Sequence, residues 1–207
     1  MAAAREFELV LWGATGFTGQ LVAEYLVRHP PDTRLALAGR SREKLERVRA
    51  ELAGLVPAAA ELPLLVGDSF DRASLDAITS RAQVVISTVG PYAQYGEALV
   101  ASCVANGTDY CDLTGESHFI RRMIDAHQTE AERTGARIVH CCGFDSIPSD
   151  LGTLMMQEEA RARFGEPLAE VRFYAGETKG GASGGTIASM MNMLDEAKDP
   201  KVRRVLG

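Results

Sequence analysis

The chain has 207 residues, 46% of them hydrophobic and 24% charged, which is ordinary globular composition at about one and a half times the usual domain length. A formal net charge of -6 without a clustered Lys/Arg run excludes a phosphate-backbone-binding surface, so nucleic acid is not an expected partner. No apolar stretch approaches the ~18 residues that a bilayer span needs, and a cytoplasmic chain is expected, with peripheral membrane association left open.

In chain order, the opening "MAAAREFELVLW" sets Arg5, Glu6 and Glu8 among its apolar residues, unlike a secretory leader. "FELVLW" (7–12) reads as a first strand and runs straight into "GATGFTG". There Gly13 permits a tight turn, Gly16 lets backbone approach a diphosphate, and Gly19 lets helix and strand pack closely. Amides at the helix start face the anion, and Thr15 and Thr18 add hydroxyl donors. Gly13, Thr15, Gly16, Phe17, Thr18 and Gly19 are therefore the candidate diphosphate-binding residues. The spacing is GxxGxxG instead of GxGxxG, but its place between a strand and a helix supports the reading against a merely structural glycine turn. Gln20 stands where a P-loop would carry its lysine, which rules that motif out. The following helix, "TGQLVAEYLVRH", carries Leu21, Val22, Tyr25 and Leu26 on one face.

The second strand, "RLALAG" (34–39), ends at Arg40, about 20 residues past the glycine loop, where an NAD site usually carries a carboxylate. A guanidinium there grips a 2′-phosphate in a forked contact, with Ser41 assisting, and points to NADP(H). The plainer alternative is that Arg40, Arg42 and Lys44 begin a solvated helix. For Arg42 and Lys44 that alternative is preferred. "SREKLERVRAEL" turns Leu45, Val48 and Leu52 inward. After the third strand, "LPLLVG" (62–67), Asp68 is placed to accept from an adenine amino group, or else it caps the next helix, as Ser69 or Asp71 would.

The fourth strand, "QVVISTV" (83–89), leads into Val89, Gly90 and Pro91, a rigid loop suited to the nicotinamide ribose. Tyr92 and Tyr95 follow where a substrate meets the cofactor, as proton donors or as packing. "YGEALVASCVANG" is a helix closing at Asn106-Gly107, "TDYCDL" (108–113) a fifth strand, "ESHFIRRMIDAHQTEAERTG" a helix closing at Gly135, and "ARIVHCC" (136–142) a sixth strand. Further proton-transfer candidates at strand ends are Glu116, His140, Asp145 and Ser146. Plainer roles compete: Asp112 and Glu116 as helix caps, His140 as a buried sheet residue, Asp145 as a turn former, and Ser149 as the cap of "DLGTLMMQEEARARF". Tyr92 and Asp145 are the catalytic candidates retained. No Tyr-x-x-x-Lys dyad or HExxH occurs, and the histidines lack metal-ligand spacing, so no metal is expected. The four cysteines make no CxxC and are expected as reduced, mostly core thiols. Strand and helix alternating in this way predict a doubly wound α/β fold with a parallel sheet of Rossmann type.

The combination of "GATGFTG", "LAGRSREKL", "VGPYAQYGEALVASCVANGTDYCDLTGE" and "GARIVHCCGFDSIPSDLG" resembles the saccharopine dehydrogenase-like oxidoreductases, most closely the actinobacterial trans-acting enoyl reductases. The resemblance runs from about residue 6 to the C-terminus, including "SGGTIASMMNMLDEAKDPKVRR". It implies an NADP(H)-dependent reductase in which Gly13, Gly16, Gly19, Arg40 and the Val89-Gly90-Pro91-Tyr92 loop serve the cofactor. It also implies a substrate carried by a separate polyketide synthase, and leaves a homodimer open. Members of that family are about twice this long, so a dinucleotide domain (1–150) is expected, followed by a linker helix and the start of a truncated second α+β domain (151–207). "EVRFYAG" would be the first strand of that domain, and "GETKGGASGGTIASMM" (176–191) a loop entering a helix over the cofactor cleft. "GGASGG" there is either an anion site or a flexible connector. Three functions are weighed: reduction of an enoyl or carbonyl lipid intermediate, a saccharopine-type amino-acid dehydrogenase, and a non-catalytic NADP(H)-binding module. The amino-acid reading is disfavoured because the loops after strands four to six carry no basic residue before Arg121.

Overall fold

A computed structural model describes residues 5–29, 33–177, 179–181 and 183–206. Six strands, β1 (Phe7–Trp12), β2 (Leu35–Gly39), β3 (Leu64–Val66), β4 (Ala82–Ser87), β5 (Asp109–Asp112) and β6 (Ile138–Val139), form one sheet in the order β3-β2-β1-β4-β5-β6. Every pairing is parallel, with Val10 beside Ala36 on one side and Val85 on the other. The doubly wound expectation from the strand–helix alternation is met.

Side chains alternate across each strand, and a sheet covered on both faces needs apolar residues at successive positions. In β1, Val10 and Trp12 enter one core with Leu75, Leu99, Tyr110 and Phe119, while Leu11 enters a second with Leu37, Leu45, Val48 and Leu52. Helices α1 (Phe17–Arg28) and α2 (Arg42–Leu55) cover the second core. Helices α3 (Arg72–Thr79), α5 (Glu97–Asn106) and α6 (Ser117–Thr134) cover the first, and α4 (Tyr92–Tyr95) is a single turn leading into α5. Gly107 (φ +62) and Gly135 (φ +80) end α5 and α6 in the left-handed conformation expected of them.

Five expectations are corrected. Helix α1 does not bury Leu21 and Tyr25, which are 54% and 63% exposed; it buries Gly19, Ala23 and Val27. The cause lies at Gly19, where a Cβ would fall 2.0 Å from the Gly13 carbonyl oxygen, so the helix must lie glycine-first on the loop and its small residues follow underneath. Helix α7 (Ile147–Phe164) starts before Ser149, with Ser146 at its cap position, because Pro148 suits a first turn whose N–H groups have no partner. The cysteines are free, but only Cys103 is core; Cys111 on β5 and Cys141 and Cys142 after β6 are partly buried. Cys141, at φ +63, also ends the sixth strand earlier than "ARIVHCC" suggests. Finally, "EVRFYAG" is irregular and exposed among the described residues; no neighbouring strand is there to complete a ladder. Past it lie α8 (Gly184–Glu196) and α9 (Pro200–Leu206). Thr178 and Ala182, which fall within the expected glycine-rich loop, are outside the described residues, as are residues 1–4 of the opening segment.

Candidate dinucleotide-binding and active site

The strand order reverses between β1 and β4, and above their carboxyl ends a crevice of about 570 Å³ opens. Its floor is the glycine loop. Gly13 has φ +90, and a Cβ on it would lie 2.5 Å from Val89 Cγ2 and 2.8 Å from Thr88 Oγ1, so only glycine fits. The Gly16 amide donates to the Gly13 carbonyl at 3.0 Å, closing the turn. Gly16 then occupies the cap position of α1 with no side chain capping it, and the first turn contains no acid. The amides that begin the helix are thus left to an outside acceptor, in a partly positive setting. Thr15, Phe17 and Thr18 line the crevice beside them. These features fit a diphosphate.

At the far end of the crevice Arg40 is exposed and has no hydrogen bond or ion pair among the described residues. Arg42, by contrast, faces Glu46 at 3.8 Å along the surface of α2. Lys44 is exposed in the first turn of α2, as expected of a solvated helix residue, and it also lines the same crevice as Arg40. Side chains lean toward a helix's N-terminus, which brings a cation in the first turn of α2 toward the end of β2, a signal available from spacing alone. Ser41 accepts from the Lys44 amide at 3.3 Å and so caps α2. Arg40, Lys44 and the start of α2 together fit the additional phosphate of NADP(H). Asp68 does not cap α3; Asp71 does, accepting from the Ala73 amide at 3.0 Å. Asp68 accepts from the Phe70 amide through Oδ1 at 2.8 Å, and the residue lines the crevice with Ser69.

Thr88, Val89 and Gly90 form the opposite wall, with a cis bond joining Gly90 to Pro91. A second cavity of about 360 Å³ continues from there, sharing Thr18, Thr88 and Gly90 with the first. Helix α8 closes over both. Ser183, its cap, and Gly185 line the two cavities, Met190 and Met193 supply apolar wall, and a Cβ on Gly90 would reach Ser189 Oγ at 3.2 Å. Gln94 and Asn192 meet at 2.5 Å, and buried His118 lies 2.7 Å from Glu196, pinning α8 to α4 and α6.

The proton-transfer candidates occupy different settings. Tyr92 is buried against Phe119 and its hydroxyl donates to the Ser87 carbonyl at 3.2 Å. Burial, followed by the charge of Asp112, pushes that phenol well above its usual range. Tyr95 packs edge-on to Phe70 outside the cavity. Buried Asp112 accepts from Tyr110 Oη at 2.9 Å and the Thr114 amide at 3.1 Å, and lies 2.7 Å from His140 Nδ1. His140 is therefore held inside the sheet edge, away from the second cavity. Glu116 also lines that cavity, but its carboxylate is occupied by backbone amides of α4, a pairing across 24 residues that no local pattern announces. Asp145 is the exception: exposed, without a hydrogen-bond or ion-pair partner among the described residues, and on the cavity wall.

Comparison with known proteins agrees with this geometry. Residues 9–139 match the family model described as the saccharopine dehydrogenase NADP binding domain. A trans-acting enoyl reductase of Mycobacterium leprae is 46% identical over 204 residues, covering 98% of this chain and 48% of that one. Another, from Mycobacterium tuberculosis, is 45% identical over 206 residues, covering 99% and 49%. The chain spans about half the length of the curated relatives it matches. Among solved structures, apo saccharopine dehydrogenase (L-glutamate-forming) from Saccharomyces cerevisiae shares the fold at a TM-score of 0.59 and 20% identity, over 75% of this chain and 32% of that one. With its glycine loop, Arg40 and crevice all inside the matched span or beside it, the chain belongs to the saccharopine dehydrogenase NADP-binding domain family, and its cofactor is NADP(H).

Proposed function

We propose that this chain is the cofactor-binding part of an NADP(H)-dependent oxidoreductase that reduces an enoyl or carbonyl group on a lipid or polyketide intermediate. The observation that carries the proposal is the continuous path from the uncapped start of α1 and unpaired Arg40, through the crevice, into a methionine-walled cavity beneath α8. When bound, NADPH supplies the hydride. Phe17 and Thr18 amides hold the diphosphate, Arg40 and Lys44 the 2′-phosphate, and Val89, Gly90 and Pro91 orient the remaining half. Met190 and Met193 give the reacting carbons an apolar wall. Asp145, open to solvent on the cavity wall, relays the balancing proton from water to the substrate, in preference to Tyr92, whose hydroxyl is already committed to Ser87.

The names of the mycobacterial relatives support an acyl substrate carried by a separate polyketide synthase. The second cavity contains no Lys or Arg among the described residues, which argues against a dicarboxylate substrate of the saccharopine type. We further assign residues 151–207 to the beginning of a second, substrate-covering domain, with α8 as its contact with the cofactor crevice. Calorimetric titration of the chain with NADPH and NADH tests the first half of the proposal. Tight NADPH binding and weak NADH binding are expected; equal affinities would remove the Arg40 assignment. NADPH oxidation by the full-length protein with an enoyl thioester tests the second, and binding without turnover would leave a sensor module instead.

A further inference from the structure

Helix α6 begins at a buried carboxylate that its own first turn does not use. Glu116 is 2% exposed and sits at the cap position of α6, yet it makes no side-chain bond to that helix. Its two oxygens reach across to α4 instead, where Oε1 accepts from the Tyr92 amide at 2.8 Å and Oε2 from the Ala93 amide at 2.9 Å. From the same helix, Arg122 donates to the Ala93 carbonyl at 3.0 Å. Glu116 is itself fixed by a relay: its amide donates to Thr114 Oγ1 at 3.1 Å, and the Thr114 amide donates to Asp112 at the end of β5. The clamped amides come directly after Gly90 and Pro91, and Gly90 lines both the cofactor crevice and the second cavity.

An acid in this position is not needed to cap α6, because α6 starts without its side chain. A buried carboxylate with no partner is also costly to keep, and here both oxygens are satisfied by one two-residue stretch. We infer that Glu116 is a positioning residue for the half of NADP(H) remote from Arg40, holding the Val89–Ala93 loop at the junction of the two cavities. The inference rests on the cofactor reading above, and it separates the two ends of the crevice. The Arg40 end rests on β2 and α2, which Glu116 does not touch, so the clamp acts on one half of the dinucleotide only.

The test is calorimetric titration of the wild-type chain, Glu116→Gln and Glu116→Ala with two ligands: NADPH, and 2′,5′-ADP, which lacks the nicotinamide half. Glu116→Ala should weaken NADPH about tenfold through a misplaced loop, while leaving 2′,5′-ADP unchanged. Glu116→Gln, which keeps one acceptor oxygen and the side-chain volume, should fall between and should speed deuterium exchange at the Tyr92 and Ala93 amides. If Glu116→Gln weakens both ligands equally, or neither, the inference is overturned; the glutamine variant decides this even if the alanine variant does not fold. A wild-type chain that binds neither ligand would instead refute the cofactor reading itself.

Discussion

Arg40 and Gly19 act on the crevice in opposite ways, one by attraction and one by leaving room. An unpaired guanidinium gains a charge-assisted contact with a 2′-phosphate worth about 1.5 to 3 kcal/mol, or about 10- to 100-fold in affinity. Arg40→Glu should therefore abolish the preference for NADPH over NADH, read as two dissociation constants by calorimetry; an unchanged ratio would leave Lys44 as the selecting cation. Gly19→Ala places a methyl 2.0 Å from the carbonyl oxygen of Gly13, against backbone that cannot rotate away. A loss of about 3 kcal/mol or more in urea-unfolding stability is expected, along with loss of NADP(H) binding. Asp145→Asn in the full-length protein should lower the reduction rate at least about 100-fold while leaving NADPH affinity intact. A parallel loss of affinity would show that Asp145 shapes the loop instead of moving a proton. Residues of the glycine loop and Arg40 were legible in sequence because their requirements are local: a strand, a tight turn, a helix, a charge at a fixed offset. Glu116 was read only as a cap or an acid, because its real partners lie far back along the chain.

Among the elements, the seam between α3 and α5 is expected to respond to acid. Asp76 accepts from Arg72 Nε at 2.8 Å, Ser102 Oγ at 2.6 Å and Asn106 Nδ2 at 3.1 Å. Burial alone would raise the Asp76 carboxyl, but the hydrogen bonds from Ser102, Arg72 and Asn106 outweigh it and hold the group below its usual 3.8. A carboxyl lowered by folding stabilises the native state above its unfolded value of about 3.9, and that stabilisation disappears as pH falls through the folded value. The urea midpoint of the wild type should drop below about pH 4, and Asp76→Asn should be less stable at neutral pH with a shallower acid decline. Identical slopes for the two proteins would contradict the seam's role. Elements themselves were readable because a two-faced parallel sheet demands apolar runs, as in "FELVLW", and because Gly107 and Gly135 stop their helices at recognisable places. The buried face of α1 was not, since the choice between Leu21 and Ala23 is made by the contact of Gly19 with a loop preceding the helix.

At the scale of the whole molecule, apolar side chains beyond β6 are left uncovered. Leu154, Met155 and Met156 on α7, Ile187, Met190, Met191 and Leu194 on α8, and Phe173 and Tyr174 between them are all exposed. Patches of this kind seek a cover, and the chain on its own should self-associate at micromolar concentration. Static light scattering checks this, and a monomer at every concentration would count against it. The helical pattern of "IASMMNML" was visible in sequence, but the irregular course of residues 170–177 was not, because a strand is defined by its neighbour as much as by its own residues.

Thr88 ties one wall of the crevice to its floor: its amide donates to the Trp12 carbonyl at 3.0 Å, and its hydroxyl lies within 3.3 Å of the Gly13 carbonyl. Val89 packs where a Gly13 side chain would be, so the two backbones meet with no room between them. The start of the β4 loop is therefore registered to the glycine turn by the fold itself, so a substitution that adds bulk at Gly13 would disturb both surfaces at once.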